Sequence, residues 1–160
     1  MGKSTVARRL GNELSREVVD LDAEIEQRAG RSVESIFAEE GEAGFRRHER
    51  AALRAVLERP DPVVLACGGG VVTDPESRAL LAEGAVVVWL DAEDDVVLAR
   101  LRASRTVRPL MEGDPEGTLR RLRSERGPLY EALATTRVDV GRSGPGASTR
   151  AVLAVLNGTP

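Results

Sequence analysis

The sequence predicts an α/β protein built on a parallel sheet. Three observations carry that class. Short apolar runs rich in valine alternate with longer stretches of helical periodicity, the pattern of successive βαβ units. Those runs are continuously apolar, as strands covered on both faces are. Acidic or glycine-rich clusters stand at the ends of the runs, where open parallel sheets bind their ligands.

The elements follow in order. After Thr5, the residues Val6, Leu10 and Leu14 recur every four positions and predict one face of a helix. Val18-Val19-Asp20 reads as the first strand. Ser32 is placed to cap the turn leading to Ile36 and Phe37, and Glu42 to Glu58 carries Phe45, Ala52, Leu53, Val56 and Leu57 at helical spacing. Val63 to Cys67 is the second strand. Asp74-Pro75 then combines an N-cap with a proline at the first helical position, and Gly84 is placed to end that helix. The third strand is Val86 to Leu90, and Asp91-Ala92-Glu93 reads as an N-cap with acidic first-turn residues. Ser104 to Pro115 holds Arg, Pro and Gly without apolar periodicity and predicts a mobile lid, which Asp114-Pro115 closes by starting another helix. Val138 to Val140 is a short last strand, followed by the small, flexible Gly141 to Gly146 stretch.

Composition narrows the function classes. A chain of 160 residues fits one domain, 1–160, and can bury roughly two thirds of its unfolded surface. Its 23 Lys and Arg against 26 Asp and Glu give a net charge of −3, which argues against a nucleic-acid protein relying on bulk positive charge. Aromatics are 2% of the chain, too few for base-stacking platforms. The single cysteine, Cys67, and the single histidine, His48, exclude an internal disulfide framework and a Cys- or His-built metal site. No apolar run approaches the ~20 residues of a membrane helix, so a soluble, cytoplasmic protein without membrane or nucleic-acid partners is expected.

The chain opens on Gly2-Lys3-Ser4-Thr5, the last half of a G-x-x-x-x-G-K-[ST] loop. The full motif wraps backbone N–H groups around nucleotide phosphates, aims a lysine at the β/γ-phosphates and offers Mg²⁺ a hydroxyl. Further along come Asp20-Leu21-Asp22, Phe45-Arg46-Arg47-His48-Glu49, Gly68-Gly69-Gly70, Arg108-Pro109-Leu110 and Arg126-Gly127-Pro128-Leu129-Tyr130. Three glycines in a row exceed what a tight turn requires. The plain alternatives are helix caps for the aspartates, a solvated helix face for Arg47, His48 and Arg50, and core packing for Cys67 and Trp89.

In order and spacing from Gly2 to about Leu156, these six segments resemble the shikimate kinase family. The resemblance implies a three-layer α/β/α P-loop kinase with a central parallel sheet, a lid around 104–115 and a substrate-binding region around 22–50. It implies transfer of the ATP γ-phosphoryl group to the 3-hydroxyl of shikimate, in aromatic amino-acid biosynthesis. ATP is then the co-substrate, Mg²⁺ the cofactor and a monomer the expected state. The ATP residues it implies are Gly2, Lys3, Ser4, Thr5, Arg108 and Arg142, with a looser match at Arg100; the metal residues are Ser4 and Asp20. Asp22 resembles the aspartate that binds the acceptor hydroxyl and takes its proton, and it joins Lys3 and Arg108 as catalytic residues. Shikimate itself falls to Asp22, Arg46, Gly68, Gly69, Gly70 and Arg126. Arginine forks suit its carboxylate, and Glu49 is placed to fix Arg46 by an i,i+3 contact.

The resemblance also implies a central strand before the phosphate loop, which this chain lacks. A strand of about five residues plus the missing loop residues comes to about ten residues. Without them, interior backbone groups would go unpaired at ~1–3 kcal/mol each. Met1 is therefore expected to be an internal methionine or a misassigned start; a true truncation is the alternative. Two other readings stay open: a P-loop kinase for another polyol acid such as gluconate, and a remnant that binds without transferring phosphate.

Overall fold

The computed structural model describes residues 2–104, 113–141 and 143–158. Their elements run α1 (Lys3–Leu14), β1 (Val18–Asp20), α2 (Leu21–Ala29), α3 (Val33–Leu57), β2 (Val64–Ala66), a 3-10 turn (Gly69–Thr73), α4 (Pro75–Gly84), β3 (Val88–Asp91), α5 (Asp94–Ala103), α6 (Pro115–Leu133), β4 (Thr136–Asp139) and α7 (Pro145–Gly158). The class is α/β, and both strand pairs among the described residues are parallel.

Contacts divide the chain into two compact units, Ala7–Val87 and Met1–Val6 with Val88–Pro160. In the first, β1 pairs with β2, Val18 opposite Val64 and Asp20 opposite Ala66. Its core is aliphatic: Leu21, Ile36, Ala52 and Leu53 are wholly buried, with Ile25, Phe45 and Val56 beside them. Gly11 lets α1 meet β1, because a Cβ there would collide with a methyl of Val18. The predicted caps are in place. The Ser32 hydroxyl accepts from Ser35 N at 3.1 Å, and Asp74 accepts from Ser77 N at 2.9 Å with Pro75 at the first helical position. The two expected helical stretches on either side of residue 41 are continuous except for one break. Gly41, at φ 68° and ψ −172°, kinks α3 there, a conformation that suits glycine.

In the other unit β3 pairs with β4, Val88 opposite Thr136 and Asp91 opposite Asp139. Ala92, Val97, Leu119, Val138 and Val152 are buried. β3 is only partly covered along Val88-Trp89-Leu90, less than its unbroken apolar run predicts. β4 departs from the expectation. It begins at Thr136 and alternates, with Val138 buried and Arg137 and Asp139 exposed. A polar residue at every second position marks a strand open on one face.

Asp114 caps α6 as expected, accepting from Gly117 N at 2.9 Å. Asp91 does not cap α5: Glu93 holds that position without a side-chain bond. The Asp91 carboxylate instead receives Arg123 of α6 at 3.0 Å and Arg137 of β4, because a carboxylate only 8% exposed gains more from two guanidiniums than from helix N–H groups. Cys67 lies one residue beyond β2 and is half-buried rather than a buried strand residue. Among the described residues no helix is long and apolar enough to cross a membrane.

Candidate active site

The residues expected to meet the acceptor gather where β1 and β2 finish. Asp20, last in β1, caps α2: its Oδ1 accepts from Asp22 N at 3.0 Å and Ala23 N at 3.3 Å. Asp22 therefore stands in the first turn of α2, beyond the end of β1 and one residue past Leu21. The local cause is the cap itself, which turns the chain into a helix at Leu21. A carboxylate in a first turn is also favoured by the N–H dipoles there.

At the end of β2, Gly68 opens the 3-10 turn Gly69–Thr73. A Cβ built on Gly68 would lie 3.8 Å from Asp22 Oδ1, so the end of β2 passes beside that carboxylate. Gly70 lies against the Arg46 guanidinium. A Cβ on Gly70 would meet Arg46 Cζ and Nη1 at 3.2 Å and Nη2 closer still. The structure thus brings Asp22 to Gly68 and Arg46 to Gly70.

Arg46 is held on three sides. Its Nη1 donates to Glu49 Oε1 at 2.7 Å and its Nη2 to Glu42 Oε1 at 3.3 Å, while its Cζ lies 5.2 Å from the Phe45 ring centroid. The i,i+3 contact with Glu49 is the one expected from spacing. Arg46 Nε is buried without a hydrogen-bond partner among the described residues, a costly state that an incoming acceptor relieves. Glu49 is 1% exposed. Burial raises its pKa above 4.5 against the hydrogen bond and charge of Arg46, with the Asp22 and Asp74 carboxylates adding to the rise. Phe37, 40% exposed, stacks on Phe45 with centroids 4.4 Å apart.

The flank of this site holds contacts that spacing does not reveal. Arg50, expected on a solvated face, donates to Asp74 at 2.9 Å. Burial pushes the Asp74 carboxyl up, but the Ser77 N–H and hydroxyl and the Arg50 guanidinium outweigh it and hold the pKa below 3.8. The Asp74-Pro75 cap is legible in the sequence. An ion pair across 24 residues is not.

At the phosphate-loop end, Gly2 has φ +73°, a conformation favouring glycine, and its carbonyl accepts from Val6 N at 2.9 Å. Lys3, Ser4 and Thr5 form the first turn of the twelve-residue α1, the positive end of the helix dipole, which favours anions. Arg126 lies on α6 and hydrogen-bonds Tyr130. Arg100, matched loosely to adenine contact, donates to Val140 O at 2.6 Å and Gly141 O at 3.1 Å and so fixes the loop after β4. Arg108 and Arg142 lie outside the described residues, as does most of the lid around 104–115.

No group of three or more His, Cys, Asp or Glu among the described residues could hold a metal. The metal residues expected, Ser4 and Asp20, are oxygen donors and both exposed. Asp20 commits one oxygen to its cap. A hydroxyl and a carboxylate are each the kind of oxygen donor that Mg²⁺, which keeps several waters, accepts.

A helix opened by Gly-Lys-Ser-Thr, on an α/β frame of parallel strands with polar groups at the strand ends, defines a P-loop kinase. A family model described as Shikimate kinase matches residues 1–157. The chain is 47% identical over 158 residues to the shikimate kinase of Mycobacterium tuberculosis, covering 97% of this chain and 87% of that protein. It is 47% identical over 138 residues to that of a Synechococcus species, covering 86% and 68%. A solved shikimate kinase from Acinetobacter baumannii, in complex with shikimate, superposes with a TM-score of 0.85 at 34% identity, covering 98% of this chain and 87% of that one. The enzyme from Bacteroides thetaiotaomicron also gives 0.85, at 27% identity and 98% and 92% coverage. The chain belongs to the shikimate kinase family.

Proposed function

We infer that this chain transfers the ATP γ-phosphoryl group to the 3-hydroxyl of shikimate, a step toward aromatic amino acids. The observation that carries the reading is Arg46, seated on Gly70, paired with the buried Glu49 and holding an unpartnered Nε. A planar guanidinium fixed in this way is suited to a carboxylate. Arg126 is the second fork, and the Gly68 to Gly70 backbone forms the wall beside the acceptor ring.

Asp22 accepts the proton of the 3-hydroxyl as its oxygen bonds to the γ-phosphorus, and the bridging oxygen leaves with ADP. Lys3 and the first-turn N–H groups of Gly2 to Thr5 hold the phosphates, while Arg108 and Arg142 complete the nucleotide set. Such transfer is mostly positioning and charge stabilisation. Mg²⁺, when bound, neutralises the β/γ-phosphate charge, with the Ser4 hydroxyl as ligand and Asp20 holding its water shell. The fold acts as one kinase domain over 1–160, with 104–115 as its lid and 22–50 as its substrate region. The enzyme works as a cytoplasmic monomer. Phe37 and Val86 are the exposed large hydrophobics among the described residues, and scattered single residues do not make a dimer face.

The test is ADP release and phosphorylated product with shikimate and, separately, gluconate, in ATP and Mg²⁺. Turnover with shikimate in preference to gluconate is expected. Preference for gluconate would replace the acceptor, and shikimate binding without turnover would leave a binding protein.

A further inference from the structure

Arg126 stands in a turn of α6 that the backbone supports poorly. The next two residues are Gly127 and Pro128. Glycine is a weak helix former, and proline has no N–H to return to the carbonyl four residues earlier, at Ser124. A side chain on such a turn keeps its direction only if something else holds it.

Four residues on, Tyr130 hydrogen-bonds the Arg126 side chain. The Tyr130 ring stacks on Trp89 of β3, with centroids 5.4 Å apart and planes 25° from parallel. Trp89 also meets Arg137 of β4, its register partner, whose guanidinium carbon lies 4.6 Å from the indole centroid. Arg137 is tied to Asp91, the buried carboxylate at the end of β3, and Arg123 binds the same carboxylate from α6 at 3.0 Å. Contacts therefore run without a gap from Asp91 through Arg137, Trp89 and Tyr130 to Arg126. Burial raises the Tyr130 pKa, with Arg126 pulling the other way, so at neutral pH the group is a neutral phenol that accepts from the guanidinium.

We propose that Tyr130 is a positioning residue for the acceptor substrate: clamped on Trp89 by the Asp91–Arg137 pair, it aims the Arg126 fork at the shikimate carboxylate. The proposal rests on the reading of Arg126 as a carboxylate-binding residue. Simple core packing of Trp89 on Tyr130 would need the rings and not the phenol oxygen. The two accounts differ at that single atom.

Tyr130→Phe removes the oxygen and keeps the ring. Shikimate binding measured by calorimetry, and KM for shikimate, should weaken about five- to tenfold, the ratio one net hydrogen bond supplies. The kcat should change by less than about twofold, since aim and not chemistry is altered. In the Arg126→Lys background, Tyr130→Phe should add nothing, because its effect passes through the lost fork. Trp89→Leu should weaken shikimate binding in the same direction, and Trp89→Phe should restore most of it. Thermal melting of each variant separates these effects from misfolding. A shikimate affinity within twofold of the parent in folded Tyr130→Phe, with Arg126→Lys impaired, overturns the proposal while the role of Arg126 stands. Unchanged affinity in Arg126→Lys removes that role and the proposal with it.

Discussion

At Gly70 the constraint is room rather than backbone conformation. No positive φ is required there, yet any Cβ would press into the Arg46 guanidinium. Gly70→Ala is therefore expected to displace the free end of Arg46 and leave the fold nearly intact. KM for shikimate should rise about tenfold or more, since hydrogen bonds to charged groups contribute ~1.5–3 kcal/mol each. Steady-state kinetics reads this, and an unchanged KM would remove Arg46 from the shikimate site. Asp22→Asn should act on the other parameter. It keeps the size and one acceptor oxygen but cannot take a proton, so kcat should fall by ~100-fold or more with shikimate affinity little altered. Equal losses in affinity and no loss in kcat would contradict the assignment of Asp22 as base. These residues were legible in sequence as types at intervals. That Gly70 accommodates a side chain rather than only a ligand was not, because what lies against a glycine is set by a helix more than twenty positions away.

At the scale of elements, α4 depends on one residue with two partners, Ser77 and Arg50. Asp74 caps the helix through Ser77 and anchors Arg50 of α3. Asp74→Ala loses both, and a lost cap alone costs ~1 kcal/mol. Loss of the shorter Arg50 pair adds to it, since among the described residues Arg50 then keeps only Glu76, at 3.6 Å. Asp74→Asn, which still caps, should lose less. Denaturant unfolding of the two variants separates cap from ion pair. The pH dependence has a definite sign. The folded pKa of Asp74 lies below 3.8, so its contribution is full above that value and disappears as pH falls through the folded pKa. The gap between the parent and Asp74→Ala should hold from pH 7 to about 5 and narrow below 3.8. Glu49 runs oppositely. Its raised pKa means that ionisation inside α3 weakens the fold as pH climbs from 4.5 through the folded value. Most elements were readable because caps and periodicity are local: Ser32, Asp74-Pro75 and Asp114-Pro115 each start a helix where expected. Asp91 was misread for a complementary reason. Its partners, Arg123 and Arg137, come from α6 and β4, and a long-range pair of guanidiniums outcompeted the local cap.

For the whole molecule, periodicity marked the strands but not their pairing. β1 with β2 and β3 with β4 are partners 46 and 48 positions apart, Val18 with Val64 and Val88 with Thr136, chosen by tertiary contacts that no local pattern encodes. The proposed functional groups are likewise spread along the chain, from Lys3 to Arg126, and ligand-induced stabilisation reports whether they bind as assigned. A ligand that binds only the folded chain stabilises it by RT ln(1 + [L]/Kd), ~2.7 kcal/mol at a hundredfold excess over Kd. For a chain of this size, that raises Tm by roughly 5–10 °C. On the proposed assignment shikimate is bound by guanidiniums, backbone and Asp22, none of which needs a metal. Its Tm shift should therefore survive EDTA. The ATP shift should shrink strongly on chelation, because the phosphates then lose the ion that Ser4 and Asp20 are assigned to hold. Phosphoryl transfer should stop under the same treatment and return on adding Mg²⁺. Differential scanning fluorimetry with each ligand, with and without EDTA, checks both halves. A shikimate shift abolished by EDTA would place the metal among the acceptor's own ligands, and an ATP shift indifferent to EDTA would remove Ser4 and Asp20 from the metal assignment.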